Sequence, residues 1–224
     1  MTLARATSVI LAKELRTEFR SRQLLGTTAV FVLIVIVLFS FTFNPTSTES
    51  RRFGPGLLWL AFLFAGSLML QSSFLREQTN DTLAALRLAP IDPFSIIAGK
   101  MAANFLFLLL VEVILLPVFA VLYNVAILPV LPQLLLVLVM GTIGLAATGT
   151  VFSAVAAQAR LRELLLPLLL LPVLAPVLIA STEATIGVLQ DPSELSLVWL
   201  TFLACFDLIF LTAAWMVGEY LLEE

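Results

Sequence analysis

Six apolar runs, each long enough to cross a lipid bilayer, dominate this 224-residue sequence. They lie at about 24–43, 57–75, 101–123, 131–155, 164–181 and 196–218. A helix needs about 20 apolar residues to span the hydrocarbon layer, and backbone surrounded by lipid must satisfy its hydrogen bonds within helices or closed barrels. We therefore predict an all-α integral membrane protein with six transmembrane helices in a single domain over residues 1–224.

The composition excludes a soluble domain and most kinds of site chemistry. Charged residues make up 12% of the chain and the mean hydropathy is +1.09, whereas soluble domains carry about 25% charged residues. There is no histidine and one cysteine, Cys205, which removes the usual general base and the usual metal and haem ligands. We expect no catalytic, cofactor-binding or metal-binding residues in this chain, and no nucleic-acid partner.

The positions of Lys and Arg predict the orientation. Ten of the twelve fall in the N-terminal segment and in alternate loops. These ten are Arg5, Lys13, Arg16, Arg20, Arg22, Arg76, Arg87, Lys100, Arg160 and Arg162. Cytoplasmic loops carry an excess of basic residues, so both termini are predicted to lie in the cytoplasm.

The N-terminal segment 1–23 is predicted to form an amphipathic helix in the headgroup layer. Its apolar face comprises Leu11, Ala12, Leu15 and Phe19, and its basic face Lys13, Arg16 and Arg20. Such a helix either serves only as a basic topogenic anchor or also borders a partner.

The polar stretch 76–101 interrupts the apolar sequence between the second and third runs. Asn80 or Asp81 can cap a short helix over 82–89, which Pro90 ends. Asp92 then precedes Pro93, a capping residue followed by proline at the first helical position, and this pair predicts the start of the third spanning helix.

The predicted short helix is too short to be stable alone. Leu83 and Leu86 give it a narrow apolar stripe. The stripe packs either on the membrane surface and the helix ends of this chain, or on a cytoplasmic partner.

Two further spans have distinctive residues. Gly141, Gly144, Gly149 and Ser153 predict a small-residue face for close helix packing in the fourth span. The prolines of the fifth span are Pro167, Pro172 and Pro176, and each removes an amide donor, so we expect this helix to be bent or broken. The weakly apolar segment 182–192 that follows is a candidate re-entrant segment.

Two acids, Glu112 and Asp207, lie near the middle of the third and sixth spans. An acid at bilayer depth is costly, so each should face the bundle interior. The functional alternatives are a proton relay, a substrate contact or a switch, and the structural one is a hydrogen bond between helices. An inverted repeat of three plus three spans, as in a proton-coupled carrier, would bring both acids to the midplane.

The chain resembles the haem exporter protein B family of the cytochrome c maturation system, whose members are type-2 ABC exporter permeases. The residues that carry the resemblance are Glu77, Leu83, Leu86, Pro90, Asp92, Ile96 and Gly99-Lys100, together with KELRTEFRSR at 13–22, LFSF at 38–41, LLWLAFLFAG at 57–66 and LLPLLLLPVLAPVLIA at 165–180. No phosphate-binding G-x-x-x-x-G-K-[ST] loop is present in the sequence. ATP hydrolysis is therefore expected in a separate chain.

The resemblance implies a non-catalytic permease subunit in the bacterial inner membrane, coupling an ABC ATPase to haem export or to release of a haem-loaded chaperone. It further implies a homodimer, and haem-handling subunits that deal with haem while the ATPase binds ATP-Mg. The coupling residues would be Glu77, Asp81, Thr82, Leu83, Leu86 and Arg87. The alternatives are a general type-2 exporter of lipid, polysaccharide or drug, and a proton-coupled carrier that uses Glu112 and Asp207.

Overall fold

The computed structural model describes residues 2–21, 23–42, 48–79, 92–157, 162–190 and 193–223, and that part of the chain is helical and contains no strand. The helices are α1 (Leu3–Ser21), α2 (Gln23–Thr42), α3 (Thr48–Thr79), α4 (Pro93–Leu122), α5 (Leu131–Ala157), α6 (Arg162–Leu189) and α7 (Leu197–Glu223), with a 3-10 helix at Leu128–Val130 before α5. Helices α2 to α7 are each long and apolar enough to cross a membrane. The prediction of an all-α, six-span membrane protein is confirmed.

Helix α5 lies at the centre of the bundle, in contact with α3, α4, α6 and α7. Its face of small residues lets these neighbours approach closely. Helices α2 and α7 lie at the periphery, since only 17% of the residues in their spanning segments are buried, against 61% in α3. Their remaining surface is apolar and suits contact with lipid.

Helix α4 begins at Pro93, as the Asp92-Pro93 pair predicts. The side chain of Asp92 accepts a hydrogen bond from the backbone N–H of Phe94 at 2.9 Å, which caps the helix. The helix is therefore longer than the predicted span 101–123, and Lys100, expected in a cytoplasmic loop, lies within it and is fully buried.

The fifth span was expected to be bent or broken, and helix α6 shows that it is not broken. It runs without interruption from Arg162 to Leu189, through all three prolines and through most of the proposed re-entrant segment 182–192. Its contacts with α3, α5 and α7 enclose it in the bundle. Neighbouring helices allow proline inside a transmembrane helix, so packing maintains the helix where the local sequence disfavours it.

Candidate functional site

The predicted coupling segment lies between the end of α3 and the start of α4. Asp81, Thr82, Leu83, Leu86 and Arg87 lie outside the described residues. Glu77 falls in the last turns of α3. The structure therefore informs the coupling hypothesis through the helices that flank the segment, above all through α4, into which the segment leads.

The first two turns of α4 are packed tightly against α1. Ile10 of α1 is 4% exposed and lies directly over Gly99. A Cβ atom added at Gly99 would come within 2.7 Å of the Ile10 side chain and 3.1 Å of the Thr7 carbonyl oxygen. Only glycine allows this approach, so residue 99 sets the distance between the interfacial helix and α4.

A buried ion pair joins the same two helices next to this contact. Lys100 Nζ donates to Glu14 Oε1 at 2.9 Å, and the Lys100 side chain is 0% exposed while that of Glu14 is 12% exposed. Lys13 also reaches Glu14, at 3.4 Å. Burial alone would raise the pKa of the Glu14 carboxyl, but Lys100, and then Lys13, outweigh burial and hold this pKa below its ordinary value of 4.5.

A second glutamate of α1 holds the start of α2. Glu18 is fully buried, and its Oε1 accepts a hydrogen bond from the backbone N–H of Leu25 at 2.8 Å. The first amides of a helix have no partner within the helix, so Glu18 supplies one from the preceding helix. Together, Glu14 and Glu18 fix α1 to both α4 and α2.

The predicted interfacial residues occupy the outer faces of α1. Arg16, Phe19 and Arg20 are exposed, with Phe19 57% exposed, and Lys13 contacts Glu14. Sequence reasoning missed Glu14 and Glu18. The available signal was a spacing of four residues, since Ala6, Ile10, Glu14 and Glu18 follow one another at this interval. This spacing places two acids on one apolar face of an otherwise basic helix.

Glu112 of α4 is 2% exposed and contacts Thr142 of α5. Thr142 Oγ1 lies 2.5 Å from Glu112 Oε1 and 2.7 Å from the carbonyl oxygen of Leu138. A hydroxyl has one proton to donate. Thr142 donates this proton to the Glu112 carboxyl or to the Leu138 carbonyl oxygen, and the second oxygen lies close by. The contact is thus the interhelical hydrogen bond that the structural alternative describes.

Replacing Glu112 by glutamine should therefore change little. The amide group of the new side chain has an oxygen that can accept from Thr142 and an NH₂ that can donate to it, so we expect a stability change below about 1 kcal/mol and unchanged activity. Thermal unfolding in detergent and an activity assay in cells measure the two effects. Thr142→Val, which removes the hydroxyl, is the control expected to be destabilising. Loss of activity in Glu112→Gln with unchanged stability would instead indicate that Glu112 transfers a proton.

Asp207 of α7 lies against a different part of α5. It is 7% exposed, and a Cβ atom added at Gly144 would lie 2.9 Å from its Oδ1. Successive residues of a helix are about 100° apart around the axis, so Thr142 and Gly144 face nearly opposite directions. Glu112 and Asp207 consequently approach α5 from opposite sides. The structure does not bring the two acids together into one site.

Among the described residues, no three His, Cys, Asp or Glu side chains form a group that could hold a metal ion. Cys205 is exposed on α7, where it would contact lipid.

Comparison with known proteins identifies the family. The model of the CcmB protein family matches residues 5–217. Heme exporter protein B of Pseudomonas aeruginosa is 35% identical over 204 residues, which cover 90% of each chain. Heme exporter protein B of Rhodobacter capsulatus is 33% identical over 174 residues, covering 78% of this chain and 79% of the relative. Since the match to the family spans nearly the whole sequence, including the helices that carry Glu14, Lys100, Glu112 and Asp207, the chain belongs to the CcmB protein family.

Proposed function

We propose that this chain is the permease subunit of a haem exporter, driven by a separate ABC-type ATPase. The relatives are heme exporter proteins by name, and the sequence has no phosphate-binding loop of its own. In this proposal the ATPase binds ATP-Mg, other membrane subunits handle haem, and the chain works as a homodimer in the bacterial inner membrane with both termini in the cytoplasm. The exporter serves c-type cytochrome biogenesis, by moving haem or by releasing a haem-loaded chaperone.

The contact between α1 and α4 is the observation that best supports ATP coupling. Segment 80–91 leads directly into α4. The first eight residues of α4 include Gly99, which contacts α1 closely, and Lys100, which pairs with Glu14 of α1. A force applied to the segment therefore acts on α1 and α4 together. Because α4 also contacts α5, the displacement would reach the central helix of the bundle.

Purification of the tagged chain from its own membranes in mild detergent tests the proposed complex. We expect an ABC-type ATPase and haem-containing membrane proteins in the same sample, identified by mass spectrometry and by the visible spectrum. Recovery of the ATPase without haem proteins would favour a general type-2 exporter. Recovery of the chain alone would contradict the proposal.

Leu83→Arg tests the coupling segment itself. If Leu83 contacts the ATPase through the apolar stripe of a short helix, a buried charge there should abolish both co-purification of the ATPase and cytochrome c maturation. Leu128→Arg is the matched control, since Leu128 is 81% exposed at the opposite end of the bundle. Both variants must reach the membrane at equal levels. Normal maturation by Leu83→Arg without bound ATPase would mean that the segment does not transmit ATP-driven motion.

A further inference from the structure

A seam of polar side chains runs along the contact between α5 and α6. Gly141 of α5 lies opposite Ser181 of α6, since a Cβ atom added at Gly141 would be 2.6 Å from Ser181 Oγ. Gly144 of α5 lies opposite Val177 of α6, since a Cβ atom added there would be 3.4 Å from the Val177 side chain. Gly141 and Gly144 are one helical turn apart on α5, and Val177 and Ser181 are one turn apart on α6. The two helices therefore face each other along a line that also contains Asp207, against Gly144.

Three buried polar atoms on this line have unused hydrogen-bonding capacity. Ser181 Oγ, Asp207 Oδ1 and Thr148 Oγ1 make no hydrogen bond to any described residue. Ser181 and Thr148 are 0% exposed, and Asp207 is 7% exposed. Most buried polar groups in proteins are paired, and an unpaired one costs about 1–3 kcal/mol. Three of them along one helix contact leave hydrogen-bonding capacity that a migrating proton can use.

A cavity of about 720 Å³ lies beyond the seam, at the end of the bundle where α4 leads into α5 and α6 into α7. The polar residues of its lining are Asn124, Gln133, Gln190 and Ser193, and the lining also includes Val188. Ser193 donates to Gln133 Oε1 at 3.5 Å. Gln133 lies on the same face of α5 as Gly141 and Gly144, by its spacing of eight and eleven residues. At 1.5 Å per residue the distance along α5 from Gln133 to Gly144 is roughly 16 Å.

Thr185 continues the seam between the cavity and Ser181. It is fully buried one turn from Ser181, accepts a hydrogen bond from Trp59 Nε1 at 2.9 Å and donates to the Ser181 carbonyl oxygen at 2.7 Å. From the cavity inwards, the polar groups are therefore Gln133, Thr185, Ser181 and Asp207. Thr148, one further turn along α5 from Gly144, lies beyond them.

No charged side chain of the neighbouring helices competes for Asp207 within the described part of the bundle. Helix α5 contains no ionisable residue. On α4, Lys100 pairs with Glu14, and Glu112 contacts Thr142 on the opposite side of α5. On α6, Glu183 is exposed. Arg162 and Glu163 begin α6, roughly 20 Å along its axis from Val177.

We propose that the seam between α5 and α6 is a proton-access path, by which Asp207 takes up a proton from, and releases it to, the compartment that the cavity faces. A hydronium ion reaching the seam gives its proton to the Asp207 carboxylate, leaving water and a neutral carboxylic acid, and release reverses the step. Ser181 supplies a hydroxyl group that can accept and donate along the way, and Thr185, which already donates to the Ser181 carbonyl oxygen, has one lone pair left to accept. This site is separate from the proposed coupling contact of α1 and α4, so either proposal can fail alone.

Carbodiimide labelling tests whether Asp207 senses the pH of that compartment. Dicyclohexylcarbodiimide reacts with protonated carboxyls inside membranes, and mass spectrometry locates the product. The full chain is labelled in vesicles of each orientation while the pH on one side is varied and the other is clamped. When the pH is raised on the side that carries residues 124–130, we expect labelling of Asp207 to fall about tenfold per pH unit above its titration point. A pH change on the other side should leave the labelling unchanged. Asp207→Asn should give no product at this position. Labelling that follows the pH of the other side, or of neither, overturns the proposal.

Silver-ion accessibility of residue 181 tests the path itself. Ser181→Cys in a Cys205→Ala background is close in size to the native side chain, whose Oγ makes no hydrogen bond to the described residues that could be lost. Ag⁺ added from the cavity side should react with this thiol and block its later labelling in the denatured chain. Thr28→Cys is the control, because Thr28 lies on α2, away from the seam, is as buried as Ser181, and has a hydroxyl that makes no hydrogen bond to the described residues. If the thiols at 181 and 28 are equally inert, water does not enter the seam and the proposal is wrong.

Discussion

Lys100→Met should destabilise the folded chain by about 3 kcal/mol, because it leaves the Glu14 carboxylate buried without its main partner. Removal of one member of a buried ion pair costs about 3–5 kcal/mol in general. The lower end applies here, since Glu14 is 12% exposed and Lys13 remains 3.4 Å away. Thermal unfolding of the purified chain in detergent measures the loss. The same variant should lose cytochrome c maturation if α1 and α4 must move together.

The double variant Glu14→Gln/Lys100→Met separates the charge effect from packing. With both charges of this pair removed, neither member is left buried without the other, and we expect most of the stability to return. The pH dependence gives an independent measure. Because the pKa of Glu14 is lowered in the folded chain, its contribution to stability is present above its ordinary value of 4.5 and is lost as the pH falls through the lower folded pKa. Equal stabilities for Lys100→Met and the parent chain at neutral pH would show that the pair contributes nothing.

The spanning helices could be predicted because the bilayer imposes one strong requirement on the sequence. A membrane-spanning backbone must satisfy its hydrogen bonds within a helix or a closed barrel, and a spanning helix needs about 20 mostly apolar residues, so the hydropathy of the sequence locates helices α2 to α7. The start of α4 was also predictable, because capping by Asp92 and the position of Pro93 are local properties. The small-residue face of α5 was predicted as a packing face, and the close approaches at Gly141 and Gly144 confirm it.

The contacts between distant residues could not be predicted from one sequence. Lys100 counted as a basic loop residue for orientation, yet it is buried in α4 because Glu14, 86 positions away, neutralises it. The prolines of α6 predicted a bent or broken helix from local chemistry, whereas α6 is continuous and packs against three helices. The relation between Glu112 and Asp207 likewise depends on the rotation of α5, which places Thr142 and Gly144 on opposite sides.

Gly141→Ala should destabilise the chain by about 3 kcal/mol, the upper end of the usual cost of overpacking a core. A Cβ atom at this position would overlap the far edge of the Trp59 indole and lie 2.6 Å from Ser181 Oγ. Trp59 cannot move away easily, because it is 0% exposed and its Nε1 donates to Thr185 at 2.9 Å. Unfolding midpoints of the parent and variant chains, measured in the same detergent, test this expectation.

Two further variants, Gly26→Ala and Trp59→Phe, test whether the loss of stability in Gly141→Ala arises from the contact of residue 141 with Trp59. Gly26 lies within α2 with no atom within 4 Å of an added Cβ, so alanine there should be neutral or stabilising by up to about 1 kcal/mol. Phenylalanine lacks the outer indole atoms that an alanine at 141 would meet, so Trp59→Phe should recover part of the stability lost in Gly141→Ala. If Gly141→Ala unfolds at the same temperature as the parent chain, α5 does not pack against α3 and α6 as closely as the structure has it.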